Sequence, residues 1–235
     1  MSIRTSLKKV LPPISITEQE ALDAGDIWLE SSIYRGAPDM EALRAVPQAK
    51  LSADEQAFMD GPVKELLGMV DDFELGNSKH IPQHILDFLG ENRFFSMIIP
   101  KKFGGLEFSP YANSTIVSTI AAKSGALAVT VMVPNSLGPG ELLMHYGTKE
   151  QQDYWLPRLA VGKDIPCFAL TSPEAGSDAG GIPDAAIVTK GQFNGEEVIG
   201  LRVSWDKRYI TLSPVATVIG LAFRLFDPES LLGRE

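Results

Sequence analysis

The sequence predicts an α+β fold, helices first and an antiparallel β domain after a boundary near residue 163. Two observations predict it. Up to Gly162, apolar residues recur at helical spacing between cap and stop signals. Beyond it, short β-branched and aromatic runs alternate with turns, and Asn194-Gly195 is a strong hairpin signal. The chain divides accordingly into an extension over 1–50, a helical domain over 51–162 and a β domain over 163–235.

Each element has its own signal. The extension mixes polar residues, Pro and Gly with a short amphipathic piece from Glu18 to Ser32. The first firm helix begins at Ser52, an N-cap residue, with Glu55 placed to complete a capping box. Val63, Leu66, Leu67, Val70 and Phe73 then fall on one helical face. Pro82 opens a second helix, with Ile85, Phe88 and Leu89 inward. Phe94 to Pro100 is a short apolar run leading into a Lys-Lys-Phe-Gly-Gly loop. Ser109 to Lys123 is helical again. Gly125 to Val133 reads as a buried helix rather than a strand, although its Val and Thr residues favour strands. Pro134, Gly138, Pro139 and Gly140 interrupt it. A helix over Lys149–Val161 is capped by Thr148 and ended by Gly162. The predicted strands are Pro166–Thr171, Ala186–Lys190, Val198–Val203, Tyr209–Leu212 and Ala216–Phe226.

Bulk properties exclude some functions. The chain has 235 residues, 44 % hydrophobic and 22 % charged, as a globular protein does. A net charge of −9 repels a phosphate backbone, so nucleic acid is not an expected partner. Cys167 is the only cysteine; it can form no internal disulfide and is read as a buried structural thiol in a reducing compartment. His80, His84 and His145 have no metal-ligand spacing, so no metal site is expected. No stretch approaches the ~20 apolar residues of a membrane span. Met1 to Pro12 carries Arg4, Lys8 and Lys9 with no apolar core behind them, unlike a signal peptide.

Two segments carry chemistry. In Phe168–Asp178 an apolar, strand-like lead-in meets a turn of Pro, Gly, Ser and Asp. Gly176 lets a flat or anionic ligand approach the main chain, and turn N–H groups can hold a phosphate without a lysine. Thr171 can offer a hydroxyl to a heterocycle and Ser177 one to an anion. The same composition also serves any surface turn. About thirty residues on, Trp205-Asp206-Lys207-Arg208-Tyr209-Ile210-Thr211 sets an aromatic and a hydroxyl two apart. In a strand, Tyr209 and Thr211 would share a face, a ring to cover a planar cofactor and a hydroxyl for its edge.

With these two segments and Val133–Thr148 (VPNSLGPGELLMHYGT), the sequence resembles the acyl-CoA dehydrogenases, flavoenzymes of fatty-acid β-oxidation. The similarity runs from about Leu11 to Gly233 and points to the large bacterial long-chain branch. Pro100, Phe103, Gly104 and Gly105 match a further family pattern. One departure stands out. A glutamate commonly follows the threonine in the wider family; here Ser172 and Pro173 come next, then Glu174.

The resemblance implies an incomplete antiparallel β-barrel-like domain after the helices, and FAD as cofactor. Phe168, Leu170, Thr171, Gly176 and Ser177 would line it, Thr171 at the flavin ring and Gly176 with Ser177 at the pyrophosphate. Tyr209, Ile210 and Thr211 would complete the site, Tyr209 standing where the family often has tryptophan. Ser177 would also approach the bound substrate. The implied reaction is α,β-dehydrogenation of fatty acyl-CoA, with electron-transfer flavoprotein as acceptor. A homo-oligomer is implied for the full-length form, in the cytoplasm or peripheral to the inner membrane. The family's catalytic glutamate lies in a carboxy-terminal helical domain, expected beyond residue 235, so no catalytic residue is nominated here and Glu174 is read as a solvated turn residue. A membrane-associating segment is expected upstream of the shared region. On this basis the chain alone is expected to be inactive and prone to associate through open strand edges. Two other functions fit the same residues: an acyl-CoA oxidase on this scaffold, or a fragment that only binds acyl-CoA or a partner.

Overall fold

The computed structural model describes residues 19–20, 23–24, 29–78, 80–136 and 138–233. About half of the amphipathic piece expected over Glu18–Ser32 lies outside them. The chain forms two compact units. One takes in Ala49–Leu170 and Lys207–Ala222; the other takes in Thr171–Asp206 with the described residues before 49 and after 222.

In the first unit the helices are α3 (Ala53–Phe58), α4 (Lys64–Met69), α5 (Asp72–Ser78), α6 (Gln83–Glu91), α7 (Pro110–Ala121), α8 (Gly125–Met132), α9 (Pro139–Tyr146) and α10 (Lys149–Ala160). The short α1 (Glu30–Tyr34) and α2 (Met40–Ala45) belong to the second unit. Leu66, Leu89, Phe94, Ile116, Ile120 and Val131 are fully buried in the core of the first unit. Phe58 meets Phe94 at 4.8 Å and Phe108 edge-on at 5.3 Å.

Glu55 does more than close its capping box. One carboxylate oxygen accepts the Ser52 N–H at 2.7 Å, and the other accepts the Ser109 N–H at 2.7 Å. Ser109 is itself the N-cap of α7. A single carboxylate thus fixes the starts of α3 and α7. Burial raises its pKa, but the hydrogen bonds from Ser52 and Ser109 outweigh burial and hold the group at about 2. A depressed carboxylate pKa contributes stability above the ordinary value of 4.5 that is lost as pH falls toward 2. Glu55→Ala, leaving two partly buried N–H groups without their acceptor, should cost about 2 kcal/mol at neutral pH. In urea unfolding the deficit should shrink between pH 4.5 and 2; a deficit independent of pH would refute the assignment.

The predicted helical face over Val63–Phe73 is corrected. Val63, Leu66 and Val70 are buried and Leu67 is half-buried, but Phe73 is 80 % exposed. The helix passes through a π-turn at Met59–Val63, which contains Pro62, and it stops at Val70 in extended backbone. Phe73 then starts afresh on α5, where Asp71 accepts the N–H groups of Phe73 and Glu74. The helices at Pro82, Ser109 and Thr148 form as expected, and Gly125–Met132 is a helix. Helix α9 had no counterpart among the predicted elements. Its prolines and glycines read as breakers, yet Pro139 sits in the first turn, where a missing N–H is harmless.

The strands are β1 (Pro166–Ala169), β2 (Ala185–Phe193), β3 (Glu196–Ser204), β4 (Val218–Leu221) and β5 (Arg224–Phe226). The α+β class holds, and among the described residues no barrel closes. Only β2 and β3 are antiparallel, joined through Asn194 and Gly195 at φ 52° and 86°, the left-handed pair a tight hairpin needs. The remaining pairs correct the prediction of an antiparallel domain. β4 lies parallel to β1 in the first unit, and β5 lies parallel to β2 in the second. Both pairs are reached by long connections rather than hairpins, so parallel pairing is open to them.

Two further strand predictions fail. Ala216–Phe226 is two short strands, β4 and β5, in different sheets. Tyr209–Leu212 is no strand at all. Tyr209 and Leu212 have φ of 58° and 67°, and Ser213 and Val215 donate back to Ile210 and Leu212 in successive turns. The periodicity of two that would give Tyr209 and Thr211 one face therefore does not apply.

Candidate functional site

The turn Thr171–Asp178 belongs to the second unit. It closes on itself: Ser172 N–H donates to the Ala175 carbonyl at 3.0 Å, and Ala175 N–H returns to Ser172 at 3.3 Å. Ser172 and Ala175 are buried, Thr171 is half-buried, and Gly176 and Ser177 are exposed. A Cβ at Gly176 would meet nothing within 4 Å, so the main chain there is open to an approaching group. The Ser172 hydroxyl donates to Asp184, whose other oxygen accepts the Asp206 N–H at 2.8 Å. Glu174 is exposed, in keeping with a solvated turn residue.

Phe168, Leu170, Tyr209, Ile210 and Thr211 lie in the first unit. Phe168 is on β1 and lines a hollow of about 440 Å³ with Leu142, Leu143, Trp155, Ile219 and Leu221. The Leu170 carbonyl accepts the Lys207 ammonium at 2.8 Å, tying the Tyr209 segment to the end of β1. Tyr209 is 83 % exposed, with the Arg208 guanidinium 5.4 Å from its ring centre. Thr211 is exposed and Ile210 half-buried. Cys167 is buried in β1, and burial pushes its thiol up from the ordinary value, so it stays protonated at neutral pH.

A polar cluster anchors β4 beside β1. Arg158 at the end of α10 bonds Asp164, which also accepts the Thr217 hydroxyl at 2.9 Å. The Thr217 oxygen in turn accepts the Ile165 N–H at 3.0 Å. Burial raises the Asp164 pKa, but hydrogen bonds from Arg158 and Thr217 outweigh it and hold the carboxyl below its ordinary value. Asp164, Thr217, Asp184 and Lys207 went unnoticed in the sequence. Apart from the Arg158–Asp164 pair, their bonds span 12 to 53 residues, and no local pattern announces them.

Comparison with known proteins bears on the helical domain and the fold. Residues 52–163 match the acyl-CoA dehydrogenase N-terminal domain. The chain is 40 % identical over 152 residues to the caffeyl-CoA reductase–Etf complex subunit CarC of Acetobacterium woodii, covering 65 % of this chain and 38 % of that protein. It is 27 % identical over 157 residues to an acyl-CoA dehydrogenase of Bacillus subtilis, covering 66 % and 39 %. The chain thus spans less than half the length of these relatives. A shared fold is shown by butyryl-CoA dehydrogenase from Megasphaera elsdenii, with a TM-score of 0.60 and 21 % identity over 74 % of this chain and 45 % of that one. By residues 52–163, the chain carries the N-terminal domain of the acyl-CoA dehydrogenase family.

Proposed function

We propose that the chain serves the α,β-dehydrogenation of fatty acyl-CoA thioesters in β-oxidation, with FAD as cofactor and an electron-transfer flavoprotein as acceptor. The observation that carries this is the braced turn at Thr171–Ser177 in a chain whose residues 52–163 match this family's domain. The turn's donor set fits a dinucleotide: two hydroxyls, exposed main chain at Gly176 and Ser177, and open space where a Cβ would stand. Flavin, when bound, supplies the redox chemistry; the protein supplies position and electrostatics.

The roles follow from residue chemistry. Thr171 offers its hydroxyl to the ring edge. Gly176 and Ser177 offer main-chain N–H groups and a hydroxyl to the pyrophosphate, which answers an anion without a nearby lysine. Ser177 also serves the acyl-CoA. A substrate carbonyl that must gain negative charge needs such preset donors. No carboxylate among the described residues is given the α-proton.

A second direction of the same chemistry is favoured by one observation. The 40 % identical relative is named a caffeyl-CoA reductase subunit, and a 32 % identical one from Clostridium sporogenes a 3-(aryl)acrylate reductase. Both names describe reduction of an aryl-substituted double bond rather than its formation.

Titration of the purified protein with FAD, followed by the visible flavin spectrum, tests the proposal. Saturable binding is expected, weakened roughly tenfold in Thr171→Ala by loss of one buried hydrogen bond. Absence of binding would overturn it. With the flavin bound, anaerobic bleaching by a saturated fatty acyl-CoA favours dehydrogenation. Reoxidation of the reduced protein by an aryl-acrylyl thioester, without such bleaching, favours the reductive direction.

A further inference from the structure

Asp184 is 3 % exposed, and so is a carboxylate withdrawn from water. Such a group is kept where donors compensate its lost hydration. One of its oxygens takes the hydroxyl of Ser172, which is 2 % exposed, and the other takes the Asp206 N–H at 2.8 Å. Its own carbonyl accepts the Arg224 N–H at 2.9 Å. One residue just before β2 therefore joins three stretches of chain: the Thr171–Asp178 turn, the exit of β3 and the start of β5.

We propose that Asp184 is the positioning residue of the cofactor turn, bracing it from the start of β2. The inference rests on the cofactor role given to Thr171–Ser177 above. Asp184 acts through others. Its bond to Ser172 fixes the closed loop of Ser172 and Ala175, so that Thr171 on one side and Gly176-Ser177 on the other keep a set separation. Its bond to Asp206 fixes the chain just past the end of β3.

Amide hydrogen exchange in the ligand-free protein reads the bracing without any cofactor. The reporters are the N–H groups of Ser172, Ala175 and Asp206, each hydrogen-bonded in the structure. Asp184→Ala should speed all three by roughly tenfold or more, with amides of α7 and α10 unchanged. Ser172→Ala should speed Ser172 and Ala175 but not Asp206. Asp184→Asn, which keeps an acceptor for Asp206 and offers its amide to the Ser172 oxygen, should restore most of the protection. FAD dissociation constants should rise in the same order. Exchange within twofold of wild type in Asp184→Ala overturns the proposal. Should Asp184→Ala fail to fold, unchanged Ala175 exchange in Ser172→Ala overturns it equally. A wild-type protein that binds no FAD refutes the proposed function instead, while the exchange rates still decide whether Asp184 braces the turn.

Discussion

Phe94→Ala is expected to lower the unfolding free energy by about 4 kcal/mol, the usual cost of deleting a fully buried ring. Phe94 is 0 % exposed and lies between Phe58 at 4.8 Å and Phe88 at 6.1 Å. Collapse around the missing ring is hindered by what surrounds it. The Phe94 carbonyl accepts the Asn135 side-chain amide at 2.6 Å, and the same amide donates to Val131 at 2.8 Å. The Asn135 oxygen takes the Ile98 N–H at 3.3 Å. Ser96, two residues on, donates its hydroxyl to the Ala160 carbonyl at the end of α10 at 3.0 Å. The backbone on either side of the ring is held by polar bonds, so the cavity stays largely open. Urea unfolding of the two proteins measures the loss. A change below about 1 kcal/mol would mean that the cluster relaxes into the space, against the packing described.

The consequence reaches the candidate site. Residues 94–97 meet the end of α10, and α10 leads through Asp164 into β1, which ends one residue before Leu170 and the turn. A loosened Phe94 segment should therefore lower protection of the β1–β4 ladder as well as that of the helices. Equal protection of β1 amides in both proteins would show that the ladder is supported independently.

What could be read from the sequence divides along the range of the interaction. Helix starts at Ser52, Ser109 and Thr148 were legible because a cap bonds within three residues of itself. The β2–β3 hairpin was legible because Asn194-Gly195 requires left-handed backbone. The buried helix over Gly125–Met132 was legible despite its Val and Thr because its length and small residues suit a core. Tyr209 failed for the opposite reason. Its β-branched and aromatic neighbours favour a strand, but no partner strand lies beside them, and Lys207 is committed to the Leu170 carbonyl. Propensity gives no view of whether a partner exists. For the candidate site, the strand-then-turn form of Phe168–Ser177 was legible. Its support by Asp184 was not, because Ser172 and Asp184 are twelve residues apart with a turn and a 3-10 helix between them. Asn135 is a similar case. Within VPNSLGPG it reads as one more turn residue, and only the fold shows it buried, its side chain bonded to the backbone at Phe94, Ile98 and Val131.

Gly105→Ala is the other change expected to have a large effect. The segment Gly104–Phe108 doubles back along Ser96–Pro100. Leu106 donates to Ser96 at 3.0 Å, Glu107 to Ile99 at 3.0 Å and Phe108 to Met97 at 2.7 Å. At Gly105 the two backbones come so close that an added Cβ would stand 2.1 Å from the Ile99 carbonyl oxygen. That oxygen is already the acceptor of the Glu107 N–H, so it cannot swing aside without breaking the return. Gly104, by contrast, is required for its left-handed backbone at φ 86°, which closes the Lys101–Phe103 turn. The two glycines thus answer to different constraints, one of angle and one of space. Gly105→Ala should cost about 3 kcal/mol or more, because the clash is with backbone and not with a side chain that can rotate away. Gly104→Ala should cost nearer 1 kcal/mol, the ordinary penalty for an unfavourable left-handed residue with room around it. Thermal unfolding of both variants should therefore rank Gly105→Ala well below Gly104→Ala. The reverse order would show that the strand-like return at Ile99 is looser than the 2.1 Å approach requires.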